Sequence, residues 1–357
     1  MSLRSRIAAL IEAQGPMPLS QFMTVALHDA QSGYYATRDP LGADFTTAPE
    51  ISQMFGEMLG LWCVQVWHDQ GLKRPRLVEL GPGRGTLMAD MLRAMQVAPE
   101  LMQDIEVVMV EASPVLADIQ RRKLAQSGVS VRWQAQFDDS LADRPLLLVA
   151  NEFFDALPVR QLVKTPRGWC ERMVTARDGE LEFALAPTPV PAAIIPASRE
   201  AAPDGGVYES APAATALAED IARIVTAHGG GALIVDYGYG EAAGFGETLQ
   251  AVGGNAFADL LAEPGEDDLS AHVDFAALSE AARRGGAAVT GPATQGEFLV
   301  HLGIVERAEQ LMKTNPASSR DLLLAIERLI APEKMGTLFK ALAVTPVSAA
   351  PPPGFAA

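Results

Sequence analysis

Cysteine is scarce: Cys63 and Cys170 are the two in 357 residues. Two thiols cannot build a disulfide framework, and neither belongs to a CxxC or Cys/His cluster. No metal site is expected, and a reducing, cytoplasmic setting fits best. Long apolar runs are missing too. None reaches the roughly eighteen residues a membrane span needs. The opening "MSLRSRIAALIEAQG" has two arginines, but Glu12 and Gln14 follow quickly and no small-residue cleavage site appears. It reads as an amphipathic helix, not a signal peptide. Positive charge is in deficit, with 28 Lys and Arg against 44 Asp and Glu, a formal net charge of −16. That disfavours a nucleic-acid partner, whose phosphates must be neutralised by basic side chains. It favours a cationic substrate by long-range steering, although solubility alone accounts for it equally well. No internal repeat is visible.

What is present is an ordinary globular composition, 48% hydrophobic and 20% charged, on a chain long enough for one large domain with insertions or for two domains. Residues 1–72 read as an N-terminal helical cap with a turn-rich loop, "HDAQSGYYATRDPLGADFTTAP", a lid or a packed connector. Thr47 and Glu50 have the spacing of a capping box, and Ile51, Met54, Phe55, Met58, Trp62 and Val66 then share one helical face. From Arg76, apolar runs alternate with amphipathic stretches: "RLVEL", "IEVVMVEA", "VSVRW", "PLLLVANEFF" and, further on, "ALIVDYG" and "LFKALAV". Ser113 and Pro114 open the helix after the second run. Such alternation argues for a mainly parallel sheet with helices on both faces, an α/β domain over 73–345. An insertion at about 160–208 interrupts it, with two hairpins and a Pro/Ala-rich connector. Residues 346–357 read as a disordered tail.

Chemistry concentrates at two places. "ELGPGRGT" sets Gly81, Gly83 and Gly85 at alternate positions between a strand and a helix. The dinucleotide fingerprint needs its third glycine three residues after the second, where Thr86 stands, and no Lys-Ser/Thr pair makes a P-loop. A cofactor without phosphate is therefore favoured over one with it, while a merely tight turn remains open. Glu79 ends the first strand and Glu111 the second, at the carboxyl edge where ligands of open α/β sheets bind. Glu111 can accept both hydroxyls of a ribose, Glu79 can meet an ammonium group, and Asp138 after the third strand can take an adenine amine. S-adenosylmethionine needs that set. The alternative is solvated carboxylates at strand ends. In "ANEFFDALPV", Asn151 ends the fourth strand and Glu152 and Asp155 follow within one turn. Two carboxylates there can orient a guanidinium and receive its departing proton; an Asx-type turn with two core aromatics is the plainer reading.

Together with "SGYY", "DFTTAPEISQMFGEMLG", "LVELGPGRGTLMADMLR", "VEASPVLADIQ", "KTPRGW", "IVDYGYG", "DLSAHVDF" and "PEKMGTLFKAL", these motifs resemble the mitochondrial complex I assembly-factor methyltransferases and their bacterial relatives, often called MidA-like. The matches run from about residue 32 to residue 342. The resemblance implies a seven-stranded, Rossmann-like S-adenosylmethionine-dependent methyltransferase fold. In the mitochondrial member it implies dimethylation of an arginine in a complex I core subunit. It places cofactor binding on Glu79, Gly81, Gly83, Gly85, Glu111 and Asp138 and catalysis on Asn151, Glu152 and Asp155. The lid and substrate side falls on Tyr34, Tyr35, Thr46, Thr47 and Pro49. This chain reads "GADF" where the family pattern has Gly-Asp-Phe, and "VGGNAFAD" lacks a basic residue or histidine common there. The expected partner is a client protein carrying the arginine; the lack of a transit peptide points to a bacterial enzyme. Two other functions stay in play. One is methylation of a different amine or amide nitrogen, although Glu152 and Phe153 replace both prolines of the Asn-Pro-Pro-aromatic motif. The other is a non-catalytic assembly chaperone holding the cofactor as a structural ligand.

Overall fold

Short apolar runs separated by amphipathic helices build the larger of two compact units, Thr46–Phe154, Ala216–Gly240 and Phe275–Ala357. The structure, a computed structural model, describes residues 1–37, 46–240, 246–254 and 256–355. Residues 38–45 of the expected lid loop, including "GADF", lie outside the described residues. In this unit the strands are β1 (Arg76–Leu80), β2 (Glu106–Val110), β3 (Val131–Gln134), β4 (Leu146–Asn151), β5 (Gly230–Tyr239), β6 (Ala288–Thr294) and β7 (Phe339–Thr345). Their order along the sheet is β6-β7-β5-β4-β1-β2-β3. The run from β5 to β3 is parallel throughout, and β7 pairs antiparallel with both β5 and β6. Every residue of β1 and β4 is buried, so neither alternates apolar and polar faces as a half-exposed strand would, although β1 carries Arg76 and Glu79. Successive connections lead from β1 outward to β2 and β3, then return to β4 on the other side. The order reverses between β1 and β4, the place where open α/β sheets hold ligands.

Three helices frame that place: α1 (Gln53–Gln70), α2 (Thr86–Met95) and α3 (Pro114–Leu124). Met54, Phe55, Met58, Trp62 and Val66 of α1 are buried, with Met88 and Met91 of α2, in one core with the sheet. The expected capping box does not form. Thr47 makes no side-chain cap: the Glu50 amide donates to Thr47 O at 3.0 Å, and the Glu50 carboxylate accepts from Thr86 Oγ1 at 2.5 Å. The long helix begins after Ser52 instead, whose hydroxyl accepts from Met54 N. Residues 346–355, expected to be disordered, are packed: the Phe355 ring lies 5.1 Å from that of Phe298. One aromatic in a Pro/Ala stretch is enough to anchor it when an apolar slot is present.

The second unit gathers Met1–Phe45, Asp155–Thr215 and Glu241–Asp274. Residues 46–72, read above as cap, belong to the first unit because the apolar face of α1 is part of its core. In the second unit, strands Arg160–Thr165, Gly168–Arg177 and Glu180–Leu185 form the two expected hairpins. Val207–Ser210 and the short Met17–Pro18 complete that sheet. A smaller antiparallel sheet joins Ala256–Ala258, Gln250–Gly253 and Asp268–Ser270. Ile7, Phe22, Met23, Leu27, Val174 and Leu269 are among its core residues. No helix among the described residues is long and apolar enough to cross a membrane. Nor does any group of three or more His, Cys, Asp or Glu among them stand where it could hold a metal ion.

Candidate active site

Parallel register sets the site. Leu80 lies opposite Val110 on one side and Ala150 on the other, and Asn151 opposite Val235. The carboxyl ends of β2, β1, β4 and β5 therefore stand in a row, and each carries a polar side chain: Glu111, Glu79, Asn151 and Asp236. Between β1 and α2 the loop turns on Gly81, Gly83 and Gly85, at φ of 59°, 52° and 75°. All three lie in the left-handed region that favours glycine. A Cβ on Gly81 would also come within 2.7 Å of Phe153 Cδ2, so the first glycine additionally makes room for that ring.

Glu79 is 2% exposed and its Oε2 has no hydrogen-bond partner among the described residues. Burial, and next the nearby charge of Glu111, hold its carboxyl well above the ordinary range, against a lowering hydrogen bond from the Met88 amide. Glu111 is raised as well, by burial, while Ser113 N and Gln120 Nε2 donate to its two oxygens at 2.7 and 3.0 Å. Asp138 is exposed, and its Oδ1 caps a short 3₁₀ turn by accepting from Ser140 N at 2.9 Å; hydrogen bonds from the Ser140 side chain and then its amide hold the carboxyl low.

Asn151 Nδ2 donates to Glu152 Oε1 at 3.0 Å. A carboxylate can only accept, so this contact fixes which way the amide faces. Asn151 Oδ1, buried and without a partner among the described residues, is left as an acceptor. Glu152 itself has φ of 49°, a strained position for a non-glycine residue. Asp236 holds the turn in place. Its Oδ2 accepts from the amides of Phe153 and Phe154 at 3.1 and 3.0 Å, and its Oδ1 from Tyr237 N at 2.9 Å, with no exposure at all.

Asp155 opens the second unit's middle segment, where its charge acts on Tyr35 together with that of Asp268. Tyr35 donates to Asp268 Oδ1 at 2.7 Å, and Tyr34 is fully buried in the same unit. Of the expected lid residues, Thr46, Thr47 and Pro49 fall in the first unit, Pro49 buried in the short helix Ala48–Ile51. Sequence reasoning passed over Asp236 and Gln120. The signal for Gln120 was legible: it is a polar residue on the buried face of α3 with Leu116, Ala117 and Leu124. Asp236 offered only an acid closing an apolar run.

Residues 58–293 match a family model described as "Putative S-adenosyl-L-methionine-dependent methyltransferase". The chain belongs to that family of methyltransferases. It is 36% identical to the mitochondrial protein arginine methyltransferase NDUFAF7 of Mus musculus, over 94% of this chain and 82% of that one. With the Homo sapiens protein of the same name the identity is 35%, covering 94% and 81%. A Burkholderia thailandensis protein crystallised with S-adenosyl-homocysteine superposes with a TM-score of 0.83 at 29% identity, over 99% of this chain and 92% of that one.

The methyltransferase site fits its cofactor on its own evidence: a buried, unpartnered carboxylate oxygen on Glu79 for an ammonium, and a glycine turn with no phosphate-binding lysine. A pH prediction follows. Only ionised Glu79 attracts a cation, and its raised pKa means that ionisation is completed above the ordinary carboxylate range. Affinity for S-adenosylmethionine is expected to rise with pH, by up to about tenfold per unit, and to level off above the raised value. The free protein shows the opposite sign. A carboxyl with a raised folded pKa stabilises the fold most at low pH, and that contribution is lost as pH rises through the window. Calorimetry in buffers of different ionisation enthalpy reads the proton released on binding, and Glu79→Gln should remove it. Proton-neutral binding by the native enzyme across about pH 5 to 8 would separate Glu79 from the ammonium.

Proposed function

We propose that this methyltransferase modifies an arginine side chain of a client protein, with the path β6-β7-β5-β4-β1-β2-β3 as its seven-stranded, Rossmann-like cofactor sheet. The observation carrying the proposal is the pair of acceptors at the end of β4: Asn151 Oδ1, buried and unpartnered, beside the Glu152 carboxylate. Two acceptors and no donor suit a group that offers several N–H donors and a positive charge, as a guanidinium does. The relatives named protein arginine methyltransferases support the same acceptor. When bound, S-adenosylmethionine would supply the methyl group, its sulfur–methyl bond breaking to leave S-adenosylhomocysteine as the nitrogen–methyl bond forms. Asn151 Oδ1 orients the guanidinium by accepting from one N–H. Glu152 takes up the proton released when the nitrogen–methyl bond forms, a step arginine needs because its pKa exceeds about 12. Glu111 holds the ribose and Glu79 the ammonium. A complex I-type subunit in the cytoplasm is the client favoured by the family resemblance.

Glu111→Ala is expected to weaken S-adenosylmethionine binding by about 1.5–3 kcal/mol, the value of hydrogen bonds to a charged acceptor. Calorimetry checks it; native affinity in that variant would remove Glu111 from the ribose. The function itself is tested by mass spectrometry of proteins that lose an arginine methyl group when the gene is deleted. The purified enzyme and tritiated S-adenosylmethionine should restore the mark. Label on lysine or on a main-chain or side-chain amide would transfer the assignment to another nitrogen. No label on any protein would favour a binding role.

A further inference from the structure

The buried amide of Gln120 spends both of its N–H donors on the two arms of the cofactor site. Its Nε2 donates to Gly83 O at 2.7 Å and to Glu111 Oε2 at 3.0 Å, and its Oε1 accepts from Trp133 Nε1 at 2.9 Å. A carbonyl and a carboxylate only accept, and an indole N–H only donates, so the three partners together exclude the flipped amide. Gln120 has no exposure. Its Cγ is also the atom nearest to a Cβ placed on Gly85, at 3.3 Å, so the glycine turn packs against this side chain as well as bonding to it. Ser113 N donates to one Glu111 oxygen and Gln120 Nε2 to the other, and the Ala112 amide also bonds the carboxylate, so fixed neighbours set its orientation.

We propose that Gln120 is a positioning residue for cofactor binding: it locks the glycine turn to the Glu111 carboxylate and so fixes the direction in which that carboxylate meets the ribose hydroxyls. Trp133 on β3 holds the amide in the productive orientation, and Arg121 stacks over the Trp133 ring at 5.2 Å, stiffening the anchor. This inference rests on the reading that Glu111 binds the ribose. A structural filler would need only the right volume at position 120, whereas the positioning role needs donors on one side and an acceptor on the other.

Gln120→Met keeps length and volume but makes none of the three bonds. Its dissociation constants for S-adenosylhomocysteine and for adenosine, which carries the ribose without the amino acid, should both rise about tenfold or more, the worth of two lost hydrogen bonds. Gln120→Glu supplies the sharper readout and decides alone if Gln120→Met fails to fold. Its carboxyl stands against Glu111, with Glu79 the next carboxylate; the same helix carries Asp118 and the cations Arg121, Arg122 and Lys123. When protonated it donates to Glu111 as the amide does; when ionised it repels Glu111 and loses the donor. The ratio of variant to native dissociation constant should therefore be small near pH 5 and grow at least about tenfold by pH 8. A ratio independent of pH, or native affinity in Gln120→Met, would overturn the proposal. If Glu111→Ala also binds normally, the ribose assignment fails with it. If Glu111→Ala loses affinity while both Gln120 variants keep it, only the role of Gln120 falls.

Discussion

Glu152→Gln should lower methyl transfer to an arginine-bearing substrate at least about a hundredfold, the scale of general-base help, while affinity for S-adenosylmethionine stays near native. The substitution is mild in structure. One oxygen of Glu152 already accepts from Ala48 N and Asn151 Nδ2, and a glutamine carbonyl can serve both. What is lost is the negative charge that attracts a guanidinium and takes its proton. The strained backbone at Glu152, φ 49°, is held by Asp236 through the amides of Phe153 and Phe154, and the substitution leaves those bonds untouched. The cofactor contacts stand on β1 and β2, so binding and transfer should separate. Tritiated transfer and calorimetry on one preparation decide it. Equal transfer rates, or a loss of cofactor binding that matches the loss of activity, would make Glu152 structural.

Gly83→Val should abolish measurable cofactor binding in a protein that remains folded. The glycine stands at φ 52°, where a β-branched residue is a genuine outlier, and its carbonyl is the one gripped by Gln120 at 2.7 Å. Valine must either strain the turn or move it, and either change withdraws the backbone from the cofactor's path. Gly83→Ala adds the left-handed penalty of about 1–2 kcal/mol without branching, and should weaken binding about tenfold. Circular dichroism and thermal melting separate loss of the turn from loss of the fold. If Gly83→Val binds S-adenosylmethionine as the native enzyme does, the glycine loop is only a turn.

Much of this was legible in the chain itself because period and turn chemistry are local. The short apolar runs at β1 and β4 read as strands of a mainly parallel sheet, and the alternate glycines after β1 as a strand-to-helix turn. A loop without a lysine disfavoured a phosphate grip before any fold was known. Asn151 and Glu152 stood out because polar residues directly after an apolar run must lie at a strand end.

Other features depended on which distant groups met. The Thr47–Glu50 spacing is a local signal, yet Thr86, from a later helix, takes the Glu50 carboxylate and the box never forms. The charge of Asp155 acts on Tyr35, more than a hundred residues earlier in the chain. The Pro/Ala tail carries no periodic signal, and only the Phe298 ring gives Phe355 something to pack on. Sequence alone thus determined the sheet, the glycine turn and the types of residue at its edge, since each follows from neighbours in the chain. Tertiary structure decided which acceptors keep a lone pair free and which are consumed. A hydrogen bond is owned by two groups, and the second one is usually far away in sequence.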